Sequence, residues 1–223
     1  MQGADVREVH IEPEGLTGLL GMPADATGVV IFAHGSGSGR LSPRNNHVAA
    51  ALQEAGLATF LLDLLTPEEA ADRRNVFDIP LIAARLERAT AWIAAFPGTA
   101  SLRPGYFGAS TGAGAALMAA AQPRSPVAAV VSRGGRPDLA LPVLPRVKGP
   151  TLLLVGSLDG PVIDMNREAY EALACEKQLV IVEGAGHLFE EPGTLDEVVR
   201  HARDWFMAHL PRPEGDDGDL RHP

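Results

Sequence analysis

Short apolar, β-branched runs alternate with longer stretches of helical pattern along most of the chain. This alternation constrains the fold more than any other feature of the sequence. The runs are GVVIFAHG (Gly28 to Gly35), LATFLLDLL, LRPGYFGAS, VAAVVSRGG, TLLLVGS and QLVIVEG. Between them lie PRNNHVAAALQEA, LIAARLERATAWIAAF, TGAGAALMAAAQ, MNREAYEALACE and LDEVVRHARDWFMAHL. In the second of these, Leu81, Ala84, Leu86, Ala89, Trp92, Ile93 and Phe96 fall roughly at helical spacing. Strands separated by helices cross over to parallel neighbours, so a mostly parallel sheet with helices on both faces is expected. The N-terminus differs. REVHIEP and GLTGLLGMP are joined by Pro13-Glu14-Gly15, too short for a crossover, and read as an antiparallel hairpin. RPDLALPVLPRVKGP, with four prolines, reads as a loop, and TPEEAADRRNVFDIP as a long charged connection.

The chain has 223 residues, and residues 1–210 read as one domain without repeats or linkers. Residues 211–223 carry too little apolar side chain to pack and are expected to be disordered. The net charge of −9 argues against nucleic acid or an anionic membrane as partner. The single cysteine, Cys175, precludes an intrachain disulfide or a cysteine-rich zinc site and reads as a packing residue in a helical stretch. The first residues are polar and charged, unlike a signal peptide, and no apolar run approaches the ~20 residues of a membrane span. A cytoplasmic protein without metal or organic cofactor is expected.

One strand-to-helix junction carries chemistry. Gly108-Ala109-Ser110-Thr111-Gly112 sits between an apolar run and a small-residue helix. A Walker loop would need a lysine after its glycines, and Lys148 and Lys177 are placed elsewhere. A dinucleotide fingerprint would need a third glycine where Leu117 stands. Gly-x-Ser-x-Gly fits instead. In such a turn the serine takes strained backbone angles, and its neighbours two residues away must be small because strand and helix approach closely. A tight turn without chemistry would use the same residues, so the motif needs partners elsewhere in the chain.

A serine hydroxyl is a poor nucleophile without a base. Of the seven histidines, His187 alone lies in a glycine-flanked loop just after the final strand, in VEGAGHLFEEPG. In α/β-hydrolases the order is serine, acid, histidine, with the histidine at this place. The acid is then expected after TLLLVGS. Asp159 lies in the turn there, and Asp164, at an expected helix start, is the alternative. An oxyanion hole needs two backbone N–H donors. Thr111, after the serine, supplies one, and Ser36, in the glycine-rich loop FAHGSGSGRLSPRN, supplies the other. His34 in that loop reads as structural.

On these segments the sequence resembles the α/β-hydrolases, and among them the small, lidless, dienelactone hydrolase-like branch. The likeness runs from GVVIFAHGSGSGR through GASTG and VGSLDGPV to GAGHLFEEPG. HGSGSGRLSPRN, LLDLLTPEE and SRGGRPDLA further resemble hydrolase-like domains found fused to phosphoribosyltransferases; no such partner domain is expected in these residues. The resemblance implies an α/β-hydrolase fold without a large cap domain. Dienelactone hydrolases proper use a cysteine nucleophile, whereas this chain has Ser110, which points to a general serine esterase.

The expected activity is cleavage of small carboxylic esters by Ser110, His187 and Asp159. Thioester, lactone or acyl-transfer chemistry on the same residues, and a silent hydrolase fold that only binds, are the alternatives. Arg40, Arg44, Arg133 and Arg136 follow strands in loops that could border the site. They are candidates for binding a substrate carboxylate, or for tying loops together. Thr66 to Pro80 is the one long insertion able to form part of a rim.

Overall fold

The computed structural model describes residues 4–211; the expected disorder of the tail falls on residues that, apart from Pro211, lie outside that range. In chain order the elements are β1 (Asp5–Ile11), β2 (Leu16–Met22), β3 (Val29–Ala33), α1 (Pro43–Glu54), β4 (Ala58–Leu62), α2 (Pro67–Ala70), α3 (Arg73–Val76) and α4 (Ile79–Ala95). They continue with β5 (Pro104–Ala109), α5 (Thr111–Ala120), β6 (Ala129–Arg133), a 3-10 segment (Pro137–Arg146), β7 (Thr151–Gly156), α6 (Gly160–Ala172), β8 (Lys177–Val182) and α7 (Thr194–His209). The strands form one sheet in the order β1-β2-β4-β3-β5-β6-β7-β8. From β4 to β8 every pairing is parallel, while β1–β2 and β2–β4 are antiparallel. The N-terminal hairpin and the parallel sheet are therefore as the sequence predicts, and the architecture is an α/β-hydrolase fold.

Alternation along the strands builds two cores. Val30, Phe32, Phe107 and Val131 face α1 and α7, where they meet Val48, Leu52, Val198 and Phe206. Val29, Ile31, Tyr106 and Val130 face α4, α5 and α6, and meet Leu86, Ala116 and Ala169. Each central strand is buried on both faces, so its sequence is a continuous apolar run rather than a half-polar one.

Three local expectations need correction. The proline-rich stretch is a 3-10 segment rather than a loop, because proline's fixed φ falls in the 3-10 range. It buries Ala140 and Leu144 against α5 and the rest of that core. The charged connection holds two single-turn helices. Thr66 and Glu69 form a capping box on α2, and the Asp72 carboxylate accepts from the Arg74 N–H at the start of α3. Helix α6 starts at Gly160, five residues before the stretch read as helical, since Pro161 is tolerated in a first turn. It also ends before Cys175, which packs at the core edge in the following connection.

Candidate active site

Strand β5 ends and α5 begins on either side of Ser110, whose backbone stands at φ +51°, ψ −124°. For a residue with a side chain this is a strained conformation, held here by what surrounds it. Its N–H donates to the Arg133 carbonyl on β6 (3.2 Å), and its carbonyl accepts from Ala113 and Arg136. The flanking glycines are a steric necessity. A Cβ on Gly108 would lie 2.4 Å from the Ala113 Cα, and one on Gly112 would lie 2.2 Å from the Ala33 carbonyl oxygen. The signal in Gly-x-Ser-x-Gly is thus the closeness of three backbones.

The structure brings His187 and Asp159 to this serine. The Ser110 hydroxyl lies 3.3 Å from Nε2 of His187, and Nδ1 of His187 lies 2.6 Å from Oδ2 of Asp159. Asp159 is the residue before α6, at the end of β7, and His187 is in the loop after β8. These two loops are zipped together by the N–H groups of Ser157 and Leu158, which donate to the carbonyls of Val182 and Ala185 (2.9 Å each). Gly156 allows the approach, since a Cβ there would lie 2.2 Å from the Ala185 oxygen. Asp164, the alternative acid, lies inside α6 instead of at its start; it is exposed and paired with Arg167.

Ser36 sits over the start of α5. Its N–H donates to the hydroxyl of Thr111 (3.1 Å), so the amide points into the space above the helix N-terminus. The Thr111 N–H, first in the helix, has no intrahelical acceptor. His34 is structural: Nδ1–H donates to the Gly35 carbonyl (2.9 Å) and Nε2 accepts from the Leu64 N–H (3.3 Å). Burial holds this imidazole below its ordinary pKa, against the opposing pull of the Gly35 carbonyl and Asp63. Beside Ser36 and Thr111 opens a cavity of about 310 Å³, walled partly by Leu64, Pro67, Ala70 and Val76, so α2 and α3 form the expected rim.

The candidate arginines part company. Arg40 is ion-paired with Asp63 and Glu8, Arg44 with Glu190 (2.8 Å) and Arg136 with Asp138 (2.8 Å). Arg133 is buried and has no ion-pair partner among the described residues. Two contributors to the histidine loop escaped sequence reasoning. The carboxylate of Glu191 accepts from the Gly186 N–H (3.0 Å), a bond that holds its pKa below the ordinary range. Phe189, buried at φ +55°, anchors the loop in the α7-side core. The signal for both was faint, because neither an acid nor a phenylalanine in a glycine-containing loop announces a loop brace.

A hydroxyl, an imidazole and a carboxylate in series can move a proton off the serine while the carboxylate stabilises the imidazolium. Among the described residues no helix is long and apolar enough to cross a membrane.

Comparison with known proteins agrees with this fold. A crystal structure of a dienelactone hydrolase from Anabaena variabilis is 54% identical, with a TM-score of 0.91, and the match covers 94% of this chain and 100% of that one. A Pyrococcus furiosus esterase shares the fold at a TM-score of 0.75 and 17% identity, over 93% of this chain and 94% of its own. A Mycobacterium tuberculosis protein that carries the name of a phosphoribosyl transferase is 57% identical over 93% of this chain and 47% of its own length. The chain thus spans about half the length of the curated relatives it matches. The dienelactone hydrolase family model matches residues 16–206, and the chain belongs to the dienelactone hydrolase family.

Proposed function

We propose that the protein is a serine hydrolase that cleaves small carboxylic esters through an acyl-enzyme. The observation that carries this reading is the series Ser110–His187–Asp159, at 3.3 and 2.6 Å, on a strained strand-to-helix turn. His187 Nε2 takes the Ser110 proton as the oxygen attacks the ester carbonyl. Asp159 accepts the Nδ1–H bond, keeps the imidazole in the tautomer that leaves Nε2 free, and stabilises its cation. The amides of Thr111 and Ser36 receive the oxyanion, with the Ser36 N–H turning from the Thr111 hydroxyl to the developing charge. Collapse of the tetrahedral intermediate expels the alcohol, which takes the proton from His187. Water, deprotonated by the same imidazole, then releases the acid and restores Ser110.

The cavity of about 310 Å³ suits a short acyl or alkyl group, and its Leu64 and Val76 wall favours an apolar one. The test is turnover of short p-nitrophenyl esters together with labelling by a fluorophosphonate. Ser110→Ala is expected to abolish labelling and lower kcat/KM by ~10⁴-fold or more. Wild-type turnover in that variant would overturn the proposal.

A further inference from the structure

Arg133 ends β6 on the sheet face that carries α1 and α7, two residues after Val131, which packs in that core. It is 8% exposed, its Nε and Nη1 are buried without a hydrogen-bond partner, and it has no salt bridge among the described residues. Arg44, in the first turn of α1, stands near enough for the two like charges to oppose each other. Burial first and Arg44 second push Arg133 down to about 10. The Nε of Arg44 and Oδ1 of Asn45 are buried and, among the described residues, unpartnered as well. A buried cation without counter-charge is strongly unfavourable, and a ligand that supplies the charge removes the penalty. The place is next to the serine turn. The Arg133 carbonyl holds the Ser110 N–H, Gly134 abuts the His187 carbonyl, and Glu190, the partner of Arg44, lies three residues beyond His187.

We propose that Arg133 and Arg44 form an anion subsite on the α1 side of Ser110, fitted to a phosphate group. A carboxylate brings one charge and two oxygens in a plane, whereas a phosphate brings up to two charges and a tetrahedral set of oxygens, and so better matches two guanidinium forks that come from different elements. That the phosphate is carried by the ester being cleaved rests on the esterase reading above. The binding of phosphate itself does not.

Inorganic phosphate is the probe, titrated calorimetrically into wild type and Ser110→Ala at constant ionic strength, with acetate as comparison. Phosphate is expected to bind both proteins alike and acetate at least ~10-fold more weakly. Arg133→Met is expected to weaken phosphate by ~10-fold or more, and Arg44→Gln, at the more exposed position, to weaken it too. Glu190→Gln, which frees Arg44, is expected to tighten it. Should Arg133→Met not fold, Arg44→Gln and Glu190→Gln carry the test. Phosphate binding unchanged by these substitutions, or acetate binding as tightly with the same dependence, overturns the subsite. Ester hydrolysis without arginine-dependent phosphate binding overturns this inference alone, and phosphate binding without hydrolysis overturns the esterase reading alone.

Discussion

Replacing Ser110 by glycine and by alanine separates the strain at the turn from the chemistry it serves. Both substitutions remove the hydroxyl and its 3.3 Å contact with His187, so both are expected to be inactive. They differ at the backbone. At φ +51°, ψ −124° alanine inherits the strain of the serine, of order ~1–3 kcal/mol, whereas glycine adopts these angles freely. Against this, glycine loses more conformational freedom on folding, by roughly 0.5–1 kcal/mol. Ser110→Gly should therefore be more stable than Ser110→Ala by about 1–2 kcal/mol. For a domain of this size that corresponds to a melting temperature ~2–8 °C higher. Urea unfolding of the two variants side by side measures the difference, with ester turnover as the control that neither works. Equal stabilities, or a less stable glycine variant, would refute the claim that this turn stores strain.

Other consequences follow from the same geometry. Gly112→Ala should destabilise by about 1–2 kcal/mol, because the clash with the Ala33 and His34 carbonyls outweighs the ~1 kcal/mol that alanine gains in a helix. Gly160→Ala, whose Cβ would meet nothing within 4 Å at the start of α6, should instead stabilise by about 0.4–1 kcal/mol in the same unfolding measurement. Asp159→Asn should cut kcat by roughly 10³–10⁴-fold, while Asp164→Asn, in an exposed ion pair, leaves kinetics unchanged; similar losses in both would reassign the acid. His34 is held neutral by burial and accepts the Leu64 N–H. Its folded pKa lies below the ordinary value of 6.5, so the unfolded chain binds the proton first as pH falls. The contribution of the neutral ring is complete above that value and is lost below it, through the folded pKa. Unfolding free energy measured from about pH 7 down to about pH 5 should fall less steeply in His34→Asn than in wild type, and identical slopes would exclude this role.

Much of this was legible locally. The apolar runs marked strands buried on both faces, and the short connection at Pro13-Glu14-Gly15 permitted only a hairpin. The glycines around Ser110 marked a place where backbones meet. Such features are written in the chain itself, because periodicity, φ preference and the absence of a Cβ act within a few residues. Misreadings arose where tertiary burial overrode local pattern, as in the 3-10 segment that lays Ala140 and Leu144 onto a core. The boundaries of α6 shifted too, and that shift removed Asp164 from the helix start.

Only the folded chain decides which side chains meet. Ser110 and His187 are 77 residues apart, and Asp159 and His187 are 28 apart. Their distances follow from the order β5-β6-β7-β8 and from the backbone bonds that join the loops after β7 and β8. The arginines make the point most sharply. In sequence Arg40, Arg44, Arg133 and Arg136 were equivalent, each a cation after a strand. The fold gives carboxylates to three of them and leaves Arg133 buried without one among the described residues, because the partner of a charge is chosen by packing across elements, which no local stretch of sequence encodes.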